Sequence, residues 1–388
     1  MKKLRKFSMK DRLTIHIKKT KPAPLWVLLL LSVVLLAGLL VMGMTGGKVS
    51  KTEAPEALTS ADVEFRMTVA GDITVDEYVR TLAGRMGYRK LFNGVSTYWG
   101  DADVVMANLS GPVLRFEKDN YTSRNNAMAE STYLRPAALR GLAEAGITLP
   151  SFANEEVFNY GITGIRSTIG LLDEYGMEYL GIIADSEQPY FKTFTFNGEE
   201  GPSVSVLSIN DIVQKHSTAT IDRPGVINST MPSIFETVYA LSESSDQVVV
   251  YVHFGDVFSS KVTDEQRELA QRLIDAGADL VVGTNSHMVQ PIERYGNGLI
   301  VYGLGELLSN EDYSLSNDGA LLDLVITNSG EVVVYMTPTH INEGRPVITN
   351  NGLSTKRVHS ALTSLMSEAD YSVTEDGLIR ISLGQLGA

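Results

Sequence analysis

The sequence predicts an α/β domain carried behind one N-terminal membrane-spanning helix. Three observations predict it. A run of twenty residues without a charge, 25–44, follows a strongly basic segment. Further on, short β-branched runs recur and end in polar or glycine-rich turns. Helical patterns with recognisable caps fall between those runs.

The basic segment comes first. Residues 1–24 hold nine Lys/Arg and a single acid, Asp11. The whole chain has a net charge of -13, so the remainder carries 24 basic and 45 acidic residues, net -21. At 1.5 Å rise per residue the charge-free run spans about 30 Å, the hydrocarbon thickness of a bilayer. Trp26 stands at one end, where an amphipathic ring favours the interface. Cations before the span place residues 1–24 in the cytoplasm and the main domain outside the cell membrane. A cleaved signal peptide would have a shorter apolar core, about 7–15 residues, and an A-x-A-like site, which is not seen here. The basic segment abuts the span and is read as attracted to anionic lipid, not to nucleic acid. The chain has no cysteine. That excludes disulfides, thiolate metal sites and a lipoprotein anchor, and it suits a bacterial exported protein.

Residues 45–62 are polar, with Gly, Pro and Ser, and read as a linker. The folded domain opens with VEFRMTVAGD. The runs DVVMANLSG, VSVLSIND, VVVYVHFGD, ADLVVGTNSH and LIVYGLGE read as buried strands. LRPAALRGLAEAG and TGIRSTIGLLDEYG read as helices stopped by Gly146 and Gly176. TDEQRELAQRLIDAG adds Thr263 as N-cap with Gln266 at the capping-box position. The tail has a helical pattern over 354–368 and a closing strand, LIRISL.

Five strand ends carry polar groups: Asp72, Asn108, Asn154 with Glu155 and Glu156, His253, and Asn285 with His287. Ligand groups gather at the carboxyl ends of strands in such folds. Carboxylate, amide and imidazole are also the groups of a hydrolytic metal centre. The adjacent acids Glu155 and Glu156 pose the sharpest question, since a buried charge is costly unless it is paired or holds a cation.

The order and wording of these motifs resemble the bacterial capsule and poly-γ-glutamate synthesis proteins of the CapA/PgsA-like family, whose domain is similar to calcineurin-like metallophosphoesterases. The resemblance covers about residues 63–347, with 348–388 as a C-terminal extension packing on the domain. It rests on Gly71-Asp72, Asn108-Leu109-Ser110, Ala153 to Gly161, His253 to Phe258, the stretch QRELAQRLIDAGADLVVG, Gly283 to His287, Gln290 to Glu293, Tyr302 to Glu306 and THINEGRPV. It implies a metallophosphoesterase-like layered α/β/β/α sandwich. It also implies Asp72, Asn108, His253 and His287 as catalytic groups, Asn154, Glu155, Asn285 and Glu306 as binding groups, and Asp72, Glu156, His253 and His287 as metal ligands.

Departures from the family pattern are as informative. Glu155 and Glu156 stand where the family has Asn and His, Ser110 and Val257 each stand for a Glu, Asn285 for a His, and Glu306 for an Asn. Exchanging imidazole for carboxylate at 156 shifts preference from Zn towards Mn, Mg or Ca. The pattern supports one divalent ion at most. The expected role is a membrane-anchored surface protein in biosynthesis, export or retention of capsule or poly-γ-glutamate, with a depleted metal site. Its expected partners are the membrane, a polymer synthesis or export complex and an anionic extracellular polymer. The competing expectation is an active metal-dependent hydrolase, a phosphoesterase or amidase, with Asn108 and Asn154 orienting substrate.

Overall fold

Strand β1 (Val63–Ile73) organises the molecule. The computed structural model describes residues 32–33, 54–59, 61–115, 133–184, 190–198, 201–220, 222–310, 315–349 and 352–386. The basic segment 1–24 and the charge-free run 25–44, except 32–33, lie outside these. Among the described residues no helix is long and apolar enough to cross a membrane. The chain divides into two units, Met1–Lys48 and Val49–Ala388. Every described strand lies in the second unit.

In chain order the strands after β1 are β2 (Val104–Leu109), β3 (Leu149–Ser151), β4 (Ile182–Ile183), β5 (Phe191–Thr195), β6 (Ser203–Asn210), β7 (Gly225–Val226), β8 (Gln247–His253) and β9 (Leu280–Thr284). Then come β10 (Val289–Tyr295), β11 (Gly298–Leu304), β12 (Glu306–Leu308), β13 (Asp318–Thr327), β14 (Glu331–Asn342), β15 (Arg345–Ile348), β16 (Ser372–Val373) and β17 (Ile379–Gln385). The helices are α1 (Glu56–Thr59), α2 (Glu77–Met86), α3 (Tyr88–Leu91), α4 (Pro136–Glu144), α5 (Gly161–Tyr175), α6 (Ser233–Ser242), α7 (Asp264–Asp275) and α8 (Gly352–Leu362).

Two sheets result. One has nine strands in the order β16-β17-β14-β13-β1-β2-β3, with β12 beside β1 and β15 beside β14. The other has six, ordered β10-β11-β9-β8-β6-β5, and β4 pairs with β7 separately. Side chains alternate across each strand, so one strand feeds two cores. In β1, Phe65, Met67 and Val69 enter the core between the sheets. Ala70 and Ile73 join the core beneath α2, α4 and α5. In β8, Val249 and Tyr251 face the first sheet, while Val248, Val250 and Val252 face α6 and α7. The order of layers is therefore helix, sheet, sheet, helix. Arg66 also points to the helix side and is buried, where its Nε lies 2.9 Å from Asp323 Oδ1. Thr68 and Tyr98 hydroxyls donate to the same carboxylate.

Local chemistry sets the helix ends. Thr263 and Gln266 form the full capping box at the start of α7. Asp76 Oδ1 accepts from Val79 N at 2.7 Å to cap α2. Gly176 closes α5 in the left-handed region, φ 62. The tail helix is shorter than its pattern, stopping at Leu362. Thr363 and Ser364 turn their hydroxyls onto the His359 and Ala361 carbonyls, which competes with continuing the helix. The 348–388 segment also does more than pack on the domain: β17 pairs with β14 and extends the first sheet.

Candidate functional site

Asp72 lies near the end of β1, in parallel register with Asn108 of β2 on one side and Glu306 of β12 on the other. The pairing shifts register at Asp72 on both sides, an irregularity that re-aims side chains at a strand end. Gly71 makes the arrangement feasible. A Cβ there would collide with the Gly305 carbonyl, which accepts the Asp72 N–H at 3.2 Å.

From Asp72 a buried network spreads. Its Oδ1 accepts from Asn108 Nδ2 at 2.7 Å and its Oδ2 from Asn285 N at 3.0 Å. Asn108 Oδ1 accepts from Asn154 Nδ2 at 3.0 Å, and that amide also donates to Leu109 O at 2.8 Å. Asn154 Oδ1 takes the Val157 N–H at 3.1 Å, so Asn154 holds the loop that presents Glu155 and Glu156. Asn285 Nδ2 donates to Gly255 O at 2.6 Å.

The two imidazoles are each held by a carboxylate. His253, the last residue of β8, sets Nε2 2.9 Å from Glu155 Oε2. Its Nδ1 lies 3.1 Å from Thr284 Oγ1 and 3.8 Å from Asp72 Oδ1. His287 Nδ1 pairs with Glu306 Oε1. The His287 ring stacks on Phe258, centroids 5.3 Å apart. Glu155 is 25% exposed and His287 19%, so the crevice opens between these two. Asn285 (φ 82), His287 (φ 55) and Phe258 (φ 58) all adopt left-handed backbone, uncommon for non-glycine residues and gathered here at one rim.

Charge in the crevice is uneven. Burial pushes the Glu155 carboxyl up, but the charge and hydrogen bond of His253 outweigh it and hold the group below its ordinary value. Burial would lower His253, yet Glu155 and Asp72 raise it. Glu156 has no such partner: burial, then the neighbouring Glu155 charge, push it up to about 7. Its Oε2 is buried without a hydrogen bond. Glu156 feels Glu155, His253, His287 and Asp72, so it faces the same crevice.

The structure thus brings together Asp72, Asn108, Asn154, Glu155, Glu156, His253, Asn285, His287 and Glu306. Of the four expected metal ligands, Asp72, His253 and His287 are hydrogen-bonded to other groups of the crevice, while Glu156 Oε2 has no hydrogen bond. Among the described residues no three His, Asp or Glu side chains converge as a metal-binding group. The reason is visible in the pairs. Glu155 occupies His253 Nε2, Glu306 occupies His287 Nδ1, and both Asp72 oxygens accept N–H groups. Four carboxylates against two imidazoles leave the crevice negative even with both rings protonated, so it favours a cationic group over a phosphate. Two contributors escaped the motif reading. Thr284 immediately precedes Asn285 and shows as a hydroxyl at a strand end. Phe258 closes the stretch that begins at His253, and only the fold lays its ring over His287.

Known proteins share this arrangement of sequence. Residues 66–311 match the family described as bacterial capsule synthesis protein PGA_cap. The capsule biosynthesis protein CapA of Bacillus anthracis is 28% identical over 385 residues, 98% of this chain and 92% of that protein. The PGA biosynthesis protein CapA of Bacillus subtilis (strain 168) is 26% identical over 317 residues, 81% of each. Among solved structures, calcineurin-like phosphoesterase YfkN from Bacillus subtilis is similar with a TM-score of 0.38 and 12% identity, over 74% of this chain and 88% of that one. Because the family match takes in more than half of the sequence, with the Asp72, Asn108, His253 and His287 strand ends inside it, the chain belongs to the PGA_cap family of bacterial capsule synthesis proteins.

Proposed function

We propose that this protein serves the making, export or retention of an anionic capsule polymer of the poly-γ-glutamate type, and that its crevice recognises a ligand or organises a complex without metal-dependent hydrolysis. The polymer role is supported by membership of the PGA_cap family and by relatives named for capsule and PGA biosynthesis. The observation that carries the site reading is the capture of both imidazoles, His253 by Glu155 and His287 by Glu306. The layered sandwich, with donors at strand ends, supports descent from a metallophosphoesterase-like frame whose ligands now neutralise one another. The charge-free run 25–44 behind nine cations supports an anchor in the cell membrane, with the domain outside.

The orphaned Oε2 of Glu156 favours a second reading, a divalent metal held at Glu156 in an active hydrolase. One experiment separates the two. The full chain is purified in detergent, its bound metal is measured, and a generic phosphodiester is assayed with added Mn. Sub-stoichiometric metal and no turnover are expected. Near one metal per chain, with turnover abolished in His253→Ala, would overturn the proposal and establish the hydrolase.

A further inference from the structure

Away from the crevice, α2, α3 and α4 enclose a second cavity of about 530 Å³. Five cations line it: Arg80, Arg89, Lys90, Arg135 and Arg140. Glu144 is the one carboxylate of its lining. That composition is unexpected in a chain of net charge -13. Among the described residues none of the five takes part in an ion pair, although acids outnumber bases across the domain.

The cations are placed, not scattered. Arg80 donates through Nη2 to the Val75 and Tyr133 carbonyls at 3.3 and 3.2 Å and lies over the Tyr133 ring, 5.0 Å from its centroid. Its Nε is buried without a partner. Burial pushes the Tyr88 hydroxyl up while the charges of Arg80 and Arg135 pull it back, so both act on one tyrosine of the lining. Arg140 leans over the Tyr175 ring, 5.9 Å from its centroid. Gly141 lets α3 and α4 approach closely, because a Cβ there would collide with Tyr88. The result is a recess with a positive rim. Arg135 sits at the start of α4 and Arg140 further along it, so the positive rim follows the helix for roughly 7.5 Å before reaching Glu144.

We propose that this recess is a docking site for a flexible polycarboxylate chain, gripped by the rim cations through successive carboxylate groups. Guanidinium groups pair with carboxylate by two parallel hydrogen bonds, and four of the five cations are arginines. A concave rim suits a strand that bears a negative group at each repeat. A planar lipid surface would touch only its edges. The proposal rests on the reading that the family's polymer is of the poly-γ-glutamate type, and it assigns that polymer to a surface separate from the Asp72 crevice.

The test uses the full chain in detergent with poly-γ-glutamate of defined length, and separately with phosphatidylglycerol vesicles. Binding is followed by isothermal titration over a series of salt concentrations. The triple change R89E/K90E/R140E is expected to weaken polymer binding at least tenfold at fixed salt and to flatten its salt dependence. Lys356→Glu, on α8, is expected to bind as the parent does. Thermal unfolding of each variant shows whether the fold is kept, and the milder R89Q/K90Q replaces the triple change if it is not. Unchanged polymer binding in a folded variant would overturn the proposal. So would loss of vesicle binding with polymer binding intact. A capsule measurement in cells keeps the two claims apart. Normal polymer in cells lacking the protein would sink the functional reading, whereas polymer rescued equally by parent and triple variant would sink the docking site alone.

Discussion

The crevice at Asp72 and the recess between α2 and α4 handle charge in opposite ways. In the crevice Asp72, His253 and Glu306 are almost fully buried, and each side chain there other than Glu156 is matched to a partner. In the recess Arg89, Lys90, Arg135 and Arg140 are exposed and unmatched by any described carboxylate. The difference follows from solvent. Water screens like charges on a rim, so the four exposed cations can share it at small cost. Without water a lone ion costs several kcal/mol, and a buried site must neutralise itself or take up a counter-ion. The buried site is therefore the one closed by its own chain, and the exposed one has free charge for a partner.

The contrast can be broken most forcefully at His253. His253→Ala removes the hydrogen-bonded counter-charge of Glu155 and leaves only the more distant His287, and stability is expected to fall by about 3 kcal/mol, near the lower end for a broken buried pair because Glu155 retains some exposure. Urea unfolding at pH 6 measures it. A loss under 1 kcal/mol would mean that the pair contributes little.

Glu156→Gln sharpens the contrast from the other direction. The unfolded group releases its proton near its ordinary value of 4.5, the folded one near about 7. Between those values the folded state holds the extra proton, so stability falls as pH rises. The variant is expected to gain up to about 3 kcal/mol at pH 8 and nothing at pH 4. Unfolding curves at the two pH values check this, and equal effects at both would contradict it.

The Glu155–His253 pair has its own pH window. The raised His253 contributes fully below 6.5 and loses its contribution as pH rises through its folded value. The lowered Glu155 contributes above 4.5 and loses its contribution as pH falls through its folded value. The stability advantage of the parent over E155Q/H253Q is expected to peak between those two values. A profile flat across pH 4 to 8 would show the pair to be uncharged.

The smallest effect belongs to the recess. Arg89→Gln is expected to change stability by no more than about 0.5 kcal/mol, since it removes an exposed charge with no described ion pair. A larger loss in thermal unfolding would show that the rim is structural.

Much of the crevice is legible in the sequence because strand ends converge by topology. Once VAGD, VMANLS, YVHFGD and VVGTNSH are read as strands, Asp72, Asn108, His253 and Asn285 must share one end of the sheets. Which carboxylate meets which imidazole is not legible. That depends on a loop of a few residues held by Asn154, and it decides whether Glu155 is a ligand or a partner. The recess is invisible in sequence for another reason. Apart from the adjacent Arg89 and Lys90 of α3, its cations come singly from α2, α4 and the turn before α4, and no long run of charge marks them. The final strand was readable as LIRISL, but nothing local says that it pairs with β14.

One feature of the first sheet governs how the molecule comes into being. Val63 of β1 pairs with Thr327 of β13, and Val333 of β14 pairs with Ser382 of β17. The parallel neighbour β2 of the opening strand is made early, but its antiparallel neighbour β13 is made near the end of translation, and the closing strand completes the sheet only when almost nothing remains to be added. Contacts so distant along the chain make for slow folding. A chain trimmed after residue 350 lacks β17 and leaves the β14 edge that it covers unpaired, so it is expected to be less stable and more prone to aggregate than the full chain.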